Sequence, residues 1–131
     1  MIIENKIEQI SEENAKKMIL TSVENRDTFF VTLNMRYTQT WEQFAEALGN
    51  AFQLPMRNEG IDGTQDWMED LDWLNKEAFT IILFNYSELL NKDFKNLLVE
   101  FFNRIIEWWE EGVTQFCVGG KAKPFNIYLV N

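Results

Sequence analysis

The sequence contains no histidine, one cysteine and two prolines in 131 residues. The absence of histidine removes the commonest general base and metal ligand, and with it every Ser–His or Cys–His catalytic arrangement. Cys117 alone cannot form an intramolecular disulfide, so nothing indicates an oxidising compartment. Because it lies between Phe116 and Val118, Cys117 is predicted to be a small buried residue rather than a reactive thiol.

Long apolar runs are also missing. No run approaches the ~20 residues that a membrane-spanning helix needs. The apolar residues at the beginning are interrupted by Glu4, Lys6 and Glu8, so no signal-peptide pattern is present. We therefore expect no membrane association and a cytoplasmic location.

Basic residues are scarce relative to acidic ones. There are 12 Lys and Arg against 21 Asp and Glu, and the net charge is −9 at pH 7. Such a chain repels nucleic acid and attracts basic proteins through fast, salt-sensitive encounter. The hydrophobic fraction of 46% and the aromatic fraction of 15% argue against disorder, and the length suits one domain. We expect an acidic monomer that binds a basic protein partner, with no nucleic acid.

Three short apolar segments predict buried strands. Segments that read as helices separate them, and strands joined by such crossovers pair in parallel. The sequence therefore predicts an α/β domain, in which a three-stranded parallel sheet is packed by about four helices. The predicted strands are Phe29 to Leu33, Phe79 to Phe84 and Phe125 to Val130.

The helices are predicted from apolar residues at helical spacing and from their caps. Thr40 caps a helix that Pro55 terminates. The longest helix runs from Asp93 to Glu111 and is closed by Gly112. Residues 1–28 are polar, with a short helix capped by Ser11, and are interpreted as an accessory extension of a domain formed by residues 29–131.

The stretch from Ile61 to Leu74 has the least ordinary pattern. Asp62 is predicted to be its helix N-cap, with Gln65 as the capping-box partner. A helical turn of about 100° per residue places four carboxylates in one narrow wedge and the apolar side chains on the opposite side. The carboxylates belong to Asp62, Asp66, Glu69 and Asp70, and the apolar side chains to Trp67, Leu71 and Leu74.

Charge runs on a helix are usually its solvated face, although close carboxylates repel one another. Here Glu59 precedes the cluster, Asp72 follows it, and no basic residue occurs between Arg57 and Lys76. An aromatic beside uncompensated carboxylates predicts a contact surface for a basic partner. Trp73 is either the aromatic anchor of that surface or a packing residue at the helix end.

These residues resemble the barstar family of ribonuclease inhibitors. The resemblance lies in QFAEALGNAFQLP followed by IDGTQDWMEDLDWL and a buried strand, and it extends from about Phe29 to the C-terminus. It implies a protein that blocks a small ribonuclease by occupying its active site with a helix aspartate. That aspartate corresponds to Asp66, whereas Asp62 matches a second contact aspartate and Glu107 an outlying acidic contact.

The implied chemistry is physically reasonable, because a carboxylate on a rigid helix satisfies the cationic donors that a nuclease uses for phosphate. In the loop, Met56, Arg57 and Asn58 replace an aromatic pair and a glycine of the family, so the target is expected to differ from barnase. The predicted partner-binding residues are Asn58, Glu59, Asp62, Gln65, Asp66, Glu69, Asp70, Trp73 and Glu107.

Other functions remain open at this point. A barstar-like scaffold could be repurposed as an adaptor or regulator of another basic protein. An enzyme using Asp62 and Asp66 as paired carboxylates is disfavoured by the small size and by the convex exposure of a helix face. A hard-cation site at Asp66, Glu69 and Asp70 lacks a loop of alternating oxygen ligands. We expect no catalytic residue, no metal and no cofactor.

Overall fold

The computed structural model describes residues 3–56 and 60–131 and contains a four-stranded sheet. The strands are β1 (Ile7–Gln9), β2 (Thr28–Asn34), β3 (Ala78–Phe84) and β4 (Phe125–Leu129). They pair in parallel in the order β1-β4-β3-β2. The α/β class and the parallel pairing are confirmed.

The prediction of three strands was wrong, because residues 7–9 add a fourth. The strand β1 pairs with residues 127–129 of β4. It has three residues, of which only Ile7 is half-buried. So short a segment shows no hydrophobic periodicity, and only its pairing with a strand about 120 residues away reveals it.

The helices are α1 (Glu12–Ser22), α2 (Trp41–Phe52), α3 (Gly60–Met68), α4 (Lys92–Glu107) and α5 (Val113–Phe116). Short 3-10 turns lie at Met35–Tyr37, Asp72–Leu74 and Tyr86–Glu88. The predicted caps at Ser11 and Thr40 are confirmed, since their hydroxyls accept hydrogen bonds from the amides of Asn14 and Gln43.

The prediction that Gly112 closes the long helix was wrong. After α4 the chain widens into a π-turn, Trp108–Gly112, and continues directly into α5. A Cβ atom on Gly112 would lie 3.0 Å from the Trp108 ring. The lack of a side chain at Gly112 therefore leaves space for the Trp108 ring, and the helical chain continues past a glycine that the sequence pattern indicated as a C-terminal cap.

The main core lies between one face of the sheet and helices α2, α3 and α4. Phe79, Ile81 and Leu83 of β3 point into it. Phe44 of α2 meets the α4 rings of Phe101 and Phe102 edge-on, at centroid distances of 6.0 and 5.6 Å. This packing fixes α2 and α4 on the sheet and provides the platform on which α3 lies.

The opposite face of the sheet is covered by α1. Ala15 of α1 packs with Ile82 of β3 and Val130, and all three are buried. Successive strand residues face opposite sides, so β3 is buried on both faces, as is typical of parallel sheets. These contacts indicate that α1 contributes to the stability of the sheet.

We expect Ala15→Asp to lower the free energy of unfolding by about 2–3 kcal/mol, because it places a carboxylate in a site without solvent. The matched control is Lys16→Asp, one residue away and exposed, with an expected cost below about 1 kcal/mol. Urea unfolding measures both. Equal and small effects would mean that α1 does not unfold together with the sheet.

Candidate protein-binding surface

The acidic helix is shorter than the sequence predicted. It ends at Met68, and the chain then passes through Leu71 in the left-handed conformation (φ 57°) into the 3-10 turn Asp72–Leu74. Leu71 is nevertheless buried and Leu74 packs against the core. Leu71 and Leu74 thus face the core at helical spacing although the turn that holds them is not α-helical. For this reason the sequence pattern predicted a helix that extends beyond Met68.

Asp62 is not the N-cap that the sequence predicted. It lies within the first turn of α3, which is described from Gly60 onward. A carboxylate in a first turn still interacts favourably with the helix dipole. Inside the helix, the Thr64 hydroxyl donates to the carbonyl of Gly60 at 2.7 Å. The predicted contacts Asn58 and Glu59 lie outside the described residues.

The structure places the predicted carboxylates in different settings. Asp62 and Asp66 lie one turn apart on α3, and both are exposed. Asp70 is also exposed but follows the helix end. Gln65 and Glu69 are half-buried, and the Gln65 amide donates to Glu69 Oε1 at 2.8 Å. The helix therefore presents two exposed aspartates, and a glutamate held by Gln65 follows its end.

Glu107 on α4 joins the same surface. It is exposed and lines a groove of about 490 Å³ together with Glu69, which directly follows α3, so the structure brings these two predicted contacts together. Arg104, one turn earlier on α4, lines this groove as well. Its charge offsets part of the negative potential there.

The pKa of the Glu69 carboxyl group is perturbed by its surroundings. Partial burial raises the pKa of Glu69 above its ordinary value, and the charge of Asp66 adds to that rise. The hydrogen bond from Gln65 and the charge of Arg104 act in the opposite direction on the same pKa. Burial is the largest cause, so the ionised form is the disfavoured one.

We expect wild-type stability to fall relative to Glu69→Gln as pH rises from the ordinary glutamate pKa through the raised one. Within that window the folded chain binds more proton at Glu69 than the unfolded chain, so ionisation costs folded stability. Urea unfolding from mildly acidic to neutral pH measures this difference. A difference that stays constant, or that changes with the opposite sign, would contradict the raised pKa.

Three indole groups hold the helix ends in place. Trp109 Nε1 donates to the carbonyl of Met68 and Trp108 Nε1 to that of Glu69, each at 2.9 Å. Carbonyls at a helix C-terminus have no partner within the helix. Adjacent tryptophans on one helix normally diverge, but here both reach the end of α3 from the π-turn. The helix that bears Asp62 and Asp66 is thereby held at its C-terminal end by two hydrogen bonds from the indoles.

Trp73 makes the third of these bonds, from Nε1 to the carbonyl of Phe52 at the end of α2, at 2.9 Å. Its ring meets Trp67 edge-on at 5.8 Å. Trp73 is half-buried and fixes the turn after α3 against α2. A direct contact between Trp73 and a partner stays a prediction. No sequence signal identified these indole bonds, because their carbonyl partners are distant in the chain.

The prediction of a buried Cys117 was wrong, since its side chain is exposed. Cys117 follows α5 in an extended conformation, and the side chains of Phe116 and Val118 are exposed on either side. The apolar neighbours in the sequence therefore lie on the surface rather than around the thiol.

The surface is suited to binding cations carried by another molecule. Ionised carboxylates only accept hydrogen bonds, and guanidinium and ammonium groups are their strongest partners. Within residues 3–56 and 60–131, no cluster of three or more acidic, cysteine or histidine side chains is arranged to hold a metal ion. No helix in the same ranges is both long enough and apolar enough to cross a membrane.

The chain matches the model of a known protein family. The family described as barstar (barnase inhibitor) matches residues 28–121. The match begins where β2 begins and ends before β4, so it leaves out β1, α1 and β4. No curated protein and no solved structure matches the chain.

Proposed function

This chain belongs to the barstar family, and we propose that it inhibits a basic ribonuclease by covering the active site with α3. The observation that carries the proposal is the exposed pair Asp62 and Asp66 on an anchored helix of a chain with a net charge of −9. Asp66 would meet the cationic groups that hold substrate phosphate, and Asp62 and Glu107 would contact the surrounding basic surface.

The physical argument starts from the nuclease. An enzyme that cleaves RNA needs Arg and Lys side chains converging on the phosphate, and these are costly to bury without an anion. Asp66 supplies an anion that cannot be cleaved. Because α3 is held at its C-terminal end by two indole bonds, little ordering entropy is lost on binding.

The remaining contacts of the proposed interface follow from position. Gln65 and Glu69, joined by a hydrogen bond, stand on either side of Asp66 in the sequence and Asp70 follows them, and we expect all three and Trp73 to contribute contacts. We propose that a monomer binds one nuclease in the cytoplasm, as an immunity or antitoxin protein does, without binding nucleic acid. The loop has Met56, Arg57 and Asn58 where the family usually has an aromatic pair and a glycine, and this difference favours a target other than barnase.

Titration of ribonucleases with this chain tests the proposal. The panel contains barnase and the ribonuclease toxin domains encoded beside this chain. We expect one of them to be inhibited at a 1:1 ratio and its association rate to fall steeply with added salt, because opposite charges steer the encounter. The same enzyme should stop growth when expressed alone and not when co-expressed. No inhibition across the panel would contradict the proposal.

A second candidate is an adaptor or regulator of another basic protein. The observation that favours it is the segment outside the family match, where β1 and α1 enlarge the sheet and cover its second face. Specific, salt-sensitive binding of a basic protein that is not a nuclease, together with no inhibition in the panel, would support this candidate.

A further inference from the structure

An exposed apolar surface lies at the C-terminal end of α5. Phe116 is 77% exposed, Val118 is fully exposed, and Cys117 between them is exposed as well. The Phe116 ring stacks on Trp108 with a centroid distance of 6.4 Å and an angle of 7°. We call Trp108, Phe116, Cys117 and Val118 the apolar tip. Side chains of this size rarely cluster on a surface without a contact to make.

The apolar tip is continuous with the end of the acidic helix. Glu69 lines one groove with Trp108 and Phe116, and a second groove, of about 550 Å³, with Cys117 and Val118. The Trp108 indole also donates to the Glu69 carbonyl. A partner seated on α3 that extends past Glu69 therefore reaches the tip without crossing another element.

The charges around the tip identify its occupant. The first groove is lined by the carboxylates of Glu69, Glu107, Glu110 and Glu111 and by one cation, Arg104. The second groove is lined by two cations, of which Lys121 is paired with Glu77 at 2.7 Å and Lys123 donates to the carbonyl of Lys76, while Asp70 and Asp72 lie on the α3 side. A second copy of a chain with a net charge of −9 would meet repulsion there. The surroundings favour a basic surface.

We propose that the apolar tip is a second contact region for the basic protein that binds α3, and that it determines which basic protein is held. The inference rests on the proposed function. The occupant is an apolar patch on that protein, bordered by Arg or Lys side chains. Carboxylates mainly raise the rate of encounter, whereas a desolvated aromatic contact mainly slows dissociation. The carboxylates of the α3 region thus mainly set the association rate, and the apolar tip mainly sets the dissociation rate.

The test measures binding kinetics with the ribonuclease that the panel identifies. We expect Phe116→Ser and Val118→Ser each to weaken affinity by about 10-fold, almost wholly through faster dissociation and with an unchanged salt dependence. Val118→Lys should weaken binding more than Val118→Glu, because a lysine repels the basic border. Val118 is fully exposed, so its variants leave the fold intact.

The matched control is Val23→Lys, at a residue that is 82% exposed just after α1, on the other side of the sheet. It should change affinity by less than about 2-fold. If Phe116→Ser and Val118→Lys bind like wild type while Asp66→Ala is weakened, the inference is overturned and the proposed function stands. If no panel member binds the wild-type chain, both fall. A wild-type dimer that Val118→Lys dissociates would make a second copy the occupant and overturn the inference.

Discussion

Asp66→Ala is expected to weaken binding to the target ribonuclease by about 3–5 kcal/mol, because the cationic groups of the nuclease would then be buried without an anion. No hydrogen bond or ion pair formed by the Asp66 side chain occurs within the described residues, and it is exposed. The free energy of unfolding should therefore change by less than about 0.5 kcal/mol. Calorimetric titration and urea unfolding measure the two quantities.

The matched control is Glu13→Ala, which removes the same charge from an exposed position on α1, across the sheet from α3. It should slow association slightly through the lower net charge and leave dissociation unchanged. In co-expression, growth and ribosomal RNA integrity should be preserved by wild type and Glu13→Ala and lost with Asp66→Ala. Wild-type affinity in both Asp66→Ala and Asp62→Ala would show that the proposed contacts are misplaced.

Trp109→Ala is expected to cause the largest loss of stability, about 3–5 kcal/mol, because it opens a cavity in the core. Trp109 is 3% exposed and packs against Phe79 at a centroid distance of 5.7 Å. The Lys123 ammonium lies 5.7 Å from its ring centroid. The residue therefore connects the sheet, α3 and the chain that leads into β4, and urea unfolding should show the loss.

Trp109→Phe separates the hydrogen bond from the packing. It keeps an aromatic ring but leaves the Met68 carbonyl without its indole donor, which should cost about 1–3 kcal/mol. Trp108→Phe is the control, since Trp108 makes the same kind of bond from a half-buried position and water can replace the donor. A loss for Trp109→Phe no larger than for Trp108→Phe would show that the buried bond does not anchor α3.

The sequence predicted which acidic residues form the candidate site, but it predicted their arrangement only in part. The spacing of Asp62 and Asp66 and the lack of nearby basic residues are local properties, and the structure keeps these two aspartates on one helix. Glu69 was predicted on the same acidic face but is half-buried. Its setting comes from the neighbouring Gln65, Trp108 and Arg104. The sequence did not predict the apolar tip, because Phe and Val are residue types that usually lie in the core.

The sequence by itself determined the parts of this protein whose signals are local. Strands β2, β3 and β4 follow from short apolar runs, and α2 and α4 from residues at helical spacing, with the capping hydroxyl of Thr40 at the start of α2. The net charge of −9 predicts a basic partner.

Only the tertiary structure decided the features whose partners are distant in the chain. The strand β1 exists through its pairing with β4, and α1 covers the second face of the sheet. The acidic helix ends where the indoles of Trp108 and Trp109 meet its carbonyls, about 40 residues further along the chain. A hydrogen bond or a pairing across such a separation leaves no periodicity in the sequence, since it depends on which surfaces the fold brings together.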